Sequence, residues 1–269
     1  MIRTAIVQFT PLLGRKEANL RAIVSLLDGV EADLVVLPEL CTTGYFFTSK
    51  EELEPLAEGS DGEASRVLGA LAESKRAIIV AGIAEKAGSS LFNSVFVFRP
   101  APAEPLVYRK SHLFYKEPMV FEPGDTGFPV FREERLDLGV GVMLCYDWRF
   151  PEAARCLALD GADIVVCPSN LVTDAWRMVM PARAIENKVF VAVANRAGAE
   201  GQDGEVLEFK GHSALYDPWG GAVVQAGASG DGVLIAEIDP SLARDKRFND
   251  RNDIFLDRRP ELYGRIMHS

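Results

Sequence analysis

The chain has 269 residues, of which 48% are hydrophobic, enough to bury the core of one α/β domain or two small ones. Acidic residues outnumber basic ones by 39 to 29, so the formal net charge is -10. Such a surface repels phosphate backbones, and we expect no nucleic-acid partner. The sequence has no signal peptide and no apolar run of the roughly 18 residues that a membrane span needs, which predicts a cytoplasmic protein without a membrane partner.

Strand-like and helical patterns alternate along the first half of the chain. Residues 16–27 place Leu20, Ile23 and Leu27 on one face, which is typical of a helix packed on a core. A second helix is predicted at 62–73. The predicted strands are 2–9, 33–37 and 77–83, followed by a pair at 91–98 and 105–108.

The same alternation continues in the second half. Strands are predicted at 130–131, 138–144, 163–167 and 189–195, with helices at 151–159 and 174–187. Pro151 suits a first helical turn, and Asp174 is a candidate cap. Three further strands, at 212–216, 222–225 and 232–238, predict a closing antiparallel meander. Continuous β-branched strands separated by helices indicate an α/β protein whose sheets are buried on both faces.

No linker divides the chain, and no repeat of fixed period is present. The segments DLVVLPE and DIVVCPS are similar, which is a weak sign of internal symmetry. We expect one domain over residues 1–240 and a C-terminal extension over 241–269. The tail 241–263 is highly charged but contains Phe255 and Leu256. Two interpretations stay open: a solvated helix and tail, or an arm that packs on a partner subunit.

Three polar side chains follow apolar strands directly: Glu39, Lys110 and Cys145. Ligands of α/β proteins bind beyond the carboxyl ends of strands, so these side chains are candidates for one site. A cysteine on a tight strand-to-helix turn is presented like the nucleophile of an elbow motif, and a helix beginning near Pro151 would favour its thiolate. Attack by a thiol also needs a base, for which Glu39 and His112 are both candidates.

Three segments resemble the signature blocks of the nitrilase superfamily of carbon–nitrogen hydrolases: LPEL at 37–40, YRKSHLF at 108–114 and LCYDWRFPE at 144–152. Flanking segments are also similar, so the resemblance extends over nearly the whole chain in the family's order. It implies a single-domain α-β-β-α sandwich of the nitrilase type with a C-terminal arm. It also implies subunits that associate as homodimers or higher homo-oligomers.

The resemblance assigns roles to individual residues. Cys145 corresponds to the family's nucleophile and Glu39 to its general base. Lys110 corresponds to the lysine that stabilises the tetrahedral intermediate, and the backbone amide of Tyr146 to the other oxyanion donor. Glu117 corresponds to a second glutamate found in the pocket of many members. The family reaction uses no metal and no organic cofactor, so none is expected here. The histidine and cysteine spacing does not predict a metal site either.

Other residues near these blocks have a functional and a structural interpretation. Tyr45, Trp148, Asn170 and Trp176 are predicted to line the substrate pocket. His112 is interpreted as a hydrogen-bonded structural residue rather than a base. For Arg149 and Glu152 we favour an ion pair that supports the turn at Cys145 over contact with substrate. Arg183 and Glu186, spaced i and i+3, are expected to form a surface pair. Cys41, Cys156 and Cys167 are interpreted as packing residues.

The leading functional prediction is hydrolysis of a small linear amide through a thioester, releasing ammonia and a carboxylic acid. The alternatives are a nitrilase acting on aliphatic nitriles and an amidohydrolase acting on N-carbamoyl amines or amino acids. All three use the same catalytic residues and differ in the shape of the pocket. A catalytically silent binding subunit is the non-enzymatic alternative, against which the intact Glu39, Lys110 and Cys145 argue.

Overall fold

The computed structural model of the protein describes residues 1–101 and 103–266. The strands, in chain order, are β1 (Ile2–Gln8), β2 (Leu34–Val36), β3 (Ile78–Ala87), β4 (Ser90–Phe98), β5 (Leu106–Arg109), β6 (Val130–Glu133), β7 (Leu138–Val142), β8 (Ile164–Ser169), β9 (Phe190–Asn195), β10 (Ala197–Gln202), β11 (Glu205–Lys210), β12 (Ala214–Tyr216), β13 (Ala222–Gln225), β14 (Gly232–Ile238), β15 (Arg247–Asn249) and β16 (Asn252–Asp253). The α-helices are α1 (Lys16–Leu26), α2 (Lys50–Leu53), α3 (Glu63–Lys75), α4 (Pro151–Leu159), α5 (Trp176–Asn187) and α6 (Ser241–Arg244).

Two six-stranded sheets share one pattern of strand directions. The first has the order β14-β1-β2-β3-β4-β5, with β1, β2 and β3 parallel and the outer strands antiparallel to their neighbours. The second has the order β13-β12-β9-β8-β7-β6, with β7, β8 and β9 as the parallel trio. The predicted closing meander is therefore wrong in part. β12 and β13 pair with each other, but β14 crosses to the first sheet and covers the edge of β1.

The similar segments DLVVL and DIVVC occupy equivalent places, since each contains the central strand of a parallel trio. In both, the aspartate before the strand fixes the neighbouring strand. An Asp33 carboxylate oxygen accepts the Arg3 backbone N–H at 3.0 Å, and Asp163 accepts that of Gly139 at 2.8 Å. The weak sequence signal therefore corresponds to a real internal symmetry of the fold.

Alternation along the strands builds the layers. Ile6, Val36 and Val80 point into the core between the sheets, whereas Val7 and Val35 pack against α1 and α3. The helices α4 and α5 cover the outer face of the second sheet. Each fully buried aliphatic side chain contributes about 1.5–3 kcal/mol. The result is the predicted sequence of layers: helices, sheet, sheet, helices.

Two local predictions differ from the structure. The helix predicted at 174–187 begins at Trp176, and its N-cap position is occupied by Ala175 without a side-chain hydrogen bond, so Asp174 is not the cap. The hairpin of β10 and β11 was not predicted, because AGAEGQ is rich in glycine and lacks the β-branched residues typical of strands. This hairpin contacts the loop that carries Tyr45 through Glu200 on β10.

The segment after β14 folds back onto its own chain. Arg244 forms ion pairs with Asp163 at 2.9 Å and Asp137 at 2.6 Å, and Lys246 Nζ donates to the carbonyl of Asn187 at 3.0 Å. Leu256 remains 85% exposed. A solvated tail and an arm on a partner subunit both stay open, and residues 267–269 of the predicted extension lie outside the described residues. Of the helices within 1–101 and 103–266, none is long and apolar enough to cross a membrane.

Candidate active site

Cys145 lies on a strained turn at the carboxyl end of the second sheet. After β7 the chain enters a 3₁₀ turn, Cys145–Arg149, and Cys145 has a φ of 42°, in the left-handed region that side chains other than glycine seldom adopt. Strain of this kind persists only where surrounding contacts enforce it, and it occurs frequently at functional sites. The turn presents the thiol in the way that an elbow motif presents its nucleophile.

Two buried side chains enforce this turn. Asp147 accepts the Leu144 backbone N–H at 2.8 Å, just before the cysteine. Arg183 donates from Nε to the carbonyl of Trp148 at 3.2 Å and forms an ion pair with Glu186 at 2.8 Å. The predicted Arg183–Glu186 pair is confirmed, but Arg183 is buried and supports the turn rather than lying on the surface.

The surroundings of Cys145 favour the protonated thiol over the thiolate. Burial raises the pKa of Cys145 well above its ordinary value, and the charge of Glu39 raises it further. Lys110 and a backbone hydrogen bond from Asn170 lower it, but not enough to offset these effects. The predicted helix start at Pro151 is confirmed, since α4 begins there after the 3₁₀ turn, but burial raises the pKa of the thiol and so opposes the thiolate that a helix terminus would favour. Nucleophilic attack thus requires a base that removes the proton.

Lys110 joins two buried carboxylates. Its Nζ lies 2.7 Å from Oε1 of Glu39 and 2.6 Å from Oε1 of Glu117, and all three side chains are buried. Burial by itself lowers the pKa of Lys110, but the charges of Glu117 and Glu39 outweigh it, so the pKa is raised and the amine is cationic. Glu39, Lys110 and Glu117 are thus brought together as the sequence predicted.

The two oxygens of the Glu39 carboxylate have different surroundings. Oε1 accepts hydrogen bonds from Lys110 Nζ and from Asn93 Nδ2, each at 2.7 Å. Oε2 is buried and has no hydrogen-bond partner within the described part of the chain. An unpartnered carboxylate oxygen in a buried site is able to accept a proton, which is what the Cys145 thiol must lose.

Glu117 is held on every side. Oε1 also accepts the hydroxyl of Tyr45 at 2.8 Å, and Oε2 accepts the Phe114 backbone N–H at 3.0 Å. The pKa of Glu117 is raised. Burial and the negative charge of Glu39 raise it, and the positive charge of Lys110 offsets them only in part. Glu117 therefore orients Lys110, and Tyr45 in turn orients Glu117.

An ion pair that the sequence did not reveal fixes the backbone of Tyr45. The carboxylate of Glu200 on β10 accepts the Tyr45 N–H at 3.0 Å and the Phe46 N–H at 2.8 Å. The same carboxylate pairs with Arg196, whose side chain is fully buried. Gly44 is required beside this pair, because its φ is +80° and a Cβ there would lie 2.8 Å from a Glu200 oxygen. No local motif signals this contact, which joins positions far apart in the chain.

His112 lies close to Lys110 in sequence but belongs to a different hydrogen-bond network. Its Nδ1 lies 2.8 Å from Oδ1 of Asp147, and because a carboxylate only accepts, Nδ1 carries the proton. Its ring stacks on Phe150 with the centroids 3.7 Å apart. Oδ2 of Asp147 accepts the Tyr108 hydroxyl at 2.5 Å. Asp147 therefore ties the segment of Lys110 to the turn of Cys145, in accordance with the structural interpretation of His112.

A cavity of about 260 Å³ opens at the thiol. Asn170 and Trp148 line it, as does Tyr146, which follows the nucleophile. Trp176 lies fully buried in the central core and is not part of the cavity wall. Tyr45 is also absent from the cavity wall, and its hydroxyl contacts Glu117. The roles of these residues in substrate binding stay predictions.

The predicted ion pair at Arg149 is wrong. Arg149 and Glu152 are both exposed, and neither forms an ion pair with any residue in 1–101 or 103–266. Arg149 instead lines the cavity, with its guanidinium carbon 5.5 Å from the centre of the Trp148 ring. Arg183 takes the supporting role that the sequence had assigned to Arg149.

Comparisons with known proteins agree with this architecture. The family model described as carbon-nitrogen hydrolase matches residues 3–248. A protein named nitrilase from Pyrococcus abyssi is 44% identical over 98% of this chain and 100% of its own. An N-carbamoylputrescine amidase from Solanum lycopersicum is 32% identical over 98% of this chain and 94% of its own.

A solved structure shares the fold. It is a glutamate-to-glutamine mutant of the amidase from Nesterenkonia sp. AN1, in which acrylamide has added to the active-site cysteine. It is 25% identical and covers 99% of this chain and 100% of its own, with a TM-score of 0.80. The predicted α-β-β-α fold and the resemblance to the nitrilase superfamily are both confirmed. With its family model matched over nearly the whole length, this chain belongs to the carbon–nitrogen hydrolase family and is an enzyme of the nitrilase superfamily.

Proposed function

We propose that this enzyme hydrolyses small linear amides through a thioester on Cys145, releasing ammonia and a carboxylic acid. The observation that carries the proposal is the unpartnered Oε2 of Glu39, in a cluster where Lys110 and Asn93 hold only the other oxygen. A base with one free oxygen fits a mechanism that moves a proton first from the thiol and then to the leaving nitrogen.

Acylation forms the thioester on Cys145 and releases ammonia. Glu39 takes the proton of the Cys145 thiol as sulfur attacks the carbonyl carbon. Lys110 and the backbone amide of Tyr146 donate hydrogen bonds to the developing oxyanion, which are of most value in a buried, pre-organised site. The tetrahedral intermediate collapses, the carbon–nitrogen bond breaks, and protonated Glu39 gives its proton to the departing ammonia. A thioester and an ionised Glu39 remain.

Deacylation uses the same groups. Glu39 removes a proton from a water molecule, whose oxygen attacks the thioester carbonyl. Lys110 and the Tyr146 amide stabilise the second oxyanion, and Glu117 holds Lys110 in place throughout. The carbon–sulfur bond breaks, the sulfur recovers its proton from Glu39, and the acid is released. No step in this sequence calls for a metal or an organic cofactor.

Nitrile hydrolysis is the second candidate, because the relative from Pyrococcus abyssi with 44% identity is named nitrilase. N-carbamoyl hydrolysis is the third, by similarity to the Solanum lycopersicum enzyme. The cavity at Cys145 has a volume of about 260 Å³. Small amides, nitriles and N-carbamoyl compounds are all of a size for such a cavity, so its volume does not distinguish the three reactions.

The test is ammonia release from a panel of short aliphatic amides, dicarboxylic ω-amides, aliphatic nitriles and N-carbamoyl amines. Wild type and Cys145→Ala are compared on each compound, with Cys156→Ala as a control for a cysteine outside the cavity. We expect release from amides with wild type and Cys156→Ala, and none with Cys145→Ala. Release from nitriles alone would assign the enzyme to the second candidate.

We also propose a homodimer or higher homo-oligomer. Exposed apolar side chains on α5 and in the C-terminal segment support this, among them Met178 at 76% exposure and Leu256 at 85%. Light scattering coupled to size exclusion would give a dimer mass or a multiple of it. A monomer mass over the whole accessible concentration range would reject the proposal.

A further inference from the structure

Asn170 is held in a defined orientation between the base and the cavity. It follows β8, is 3% exposed and lines the cavity that opens at Cys145. Its Nδ2 donates to the backbone carbonyl of Glu39 at 3.0 Å. Because a carbonyl oxygen only accepts hydrogen bonds, this contact decides which end of the carboxamide is nitrogen and which is oxygen.

The remaining polar atom of this side chain, Oδ1, is buried and has no hydrogen-bond partner among residues 1–101 and 103–266. A buried acceptor without a donor is unfavourable, and on a residue beside a cavity it is suited to a ligand that brings the donor. Asn93 Oδ1 is likewise buried without a partner, but Asn93 does not line the cavity. Of these two acceptors, only that of Asn170 belongs to a residue that lines the cavity at Cys145.

We propose that Oδ1 of Asn170 accepts a hydrogen bond from the N–H of the substrate's carboxamide. This rests on the proposed thiol hydrolysis at Cys145 and narrows its substrates to compounds with an –NH₂ group, primary amides and N-carbamoyl compounds. Nitriles and esters offer no N–H, so they would leave the acceptor buried and unpaired.

The position of Asn170 also suits the departure of ammonia. With the carbonyl oxygen of the substrate at Lys110 and the Tyr146 amide, the nitrogen points away from them. Asn170 is hydrogen-bonded to the backbone carbonyl of Glu39, so a nitrogen held at Oδ1 would lie near the residue that protonates it in the proposed mechanism. A hydrogen bond to Asn170 would therefore have two effects. It would select substrates with an N–H group, and it would favour cleavage of the amide bond.

The experiment compares two probes that form the same acyl-enzyme, butanamide and methyl butanoate. The quantity measured is kcat/KM for the amide divided by kcat/KM for the ester. In Asn170→Leu, whose side chain has a similar size and no polar atom, we expect this ratio to fall about tenfold, the typical effect of one lost hydrogen bond. Asn170→Ala, which introduces no bulk, should behave the same way. Melting temperatures establish that the variants are folded.

Asn93→Leu is the matched control. It removes a hydrogen bond to the side chain of Glu39, so it should slow both probes and leave their ratio unchanged. An equal loss for both probes in Asn170→Leu and Asn170→Ala would overturn the proposal, because it would show that Asn170 acts only through the carbonyl of Glu39.

Failure of the proposed function would look different. If wild type hydrolysed the ester or butanenitrile but not butanamide, amide hydrolysis would be rejected. The role of Asn170 would then be decided by the affinity of butanamide for Cys145→Ala and for Cys145→Ala/Asn170→Leu. Ligand-observed NMR measures this binding. Weaker binding to the double variant supports the hydrogen bond, and equal binding overturns it.

Discussion

Lys110 and Glu39 form a fully buried ion pair, with Nζ of the lysine 2.7 Å from Oε1 of the glutamate. The pair occupies one carboxylate oxygen and leaves the other without a partner in the described structure. This asymmetry separates the two functions of the site. In the proposed mechanism, Lys110 supplies positive charge for an oxyanion, and the unpartnered oxygen of Glu39 takes part in proton transfer.

Glu39→Gln should lower kcat by about 10²–10⁴-fold, the range typical for loss of a general base. Glutamine keeps the shape of the side chain and an acceptor for Lys110 and Asn93, but it does not take up the thiol proton. Initial rates of ammonia release measure the effect. Glu122→Gln, on an exposed side chain, is the control and should retain wild-type rates. A Glu39→Gln enzyme with near wild-type kcat would reject Glu39 as the base.

His112→Gln should reduce kcat by less than about tenfold, well below the loss expected for a base. The imidazole is directed at Asp147 and stacked on Phe150, so its removal loosens the turn without removing a proton acceptor from the thiol. Steady-state kinetics beside Glu39→Gln gives the comparison. A loss in His112→Gln as large as in Glu39→Gln would return His112 to the role of candidate base.

The thiol of Cys145 should show no thiolate absorbance in the ultraviolet from pH 6 to pH 9. Its pKa is raised above the ordinary thiol value of 9.0. A raised pKa means that the proton is retained as the pH rises through that value. The measurement is the difference spectrum between wild type and Cys145→Ala during a pH titration. A thiolate signal already at neutral pH would mean that a pre-formed ion pair, rather than Glu39 acting during attack, activates the sulfur.

The site could be predicted from sequence wherever a residue lies in a strand-end motif. Glu39, Lys110 and Cys145 follow apolar strands within recognisable blocks, and the alternation of strands and helices indicated the layers. Glu200 could not be found in this way, because its strand lacks β-branched residues and its contacts join distant segments. Arg149 shows a further limit, because tertiary packing decides whether an arginine forms an ion pair, and Arg183 supports the turn instead.

Glu200→Ala should destabilise the protein by about 3–5 kcal/mol, because Arg196 would remain as an unpaired buried charge. It should also lower kcat, since the backbone of Tyr45 loses its acceptor and the hydroxyl of Tyr45 no longer holds Glu117 firmly. Chemical denaturation and ammonia release measure the two effects.

The control for this variant is Glu208→Ala, on the same hairpin but exposed. It should change stability by no more than about 0.5 kcal/mol. If Tyr45 transmits the effect, Glu200→Ala should lower kcat less in a Tyr45→Phe background than in wild type. The same fractional loss in both backgrounds would indicate that Glu200 affects the site by another route.

In the proposed mechanism, Cys145 carries the acyl group of the substrate. The most direct measurement mixes the enzyme with an amide that it hydrolyses and quenches the reaction in acid within the first turnovers. Mass spectrometry of the intact protein and of its peptides then detects any bound acyl group. We predict a mass increase equal to the acyl group, located on the peptide that contains Cys145 and absent from Cys145→Ala. Continued ammonia release by Cys145→Ala, or an acyl group on another residue, would contradict the account.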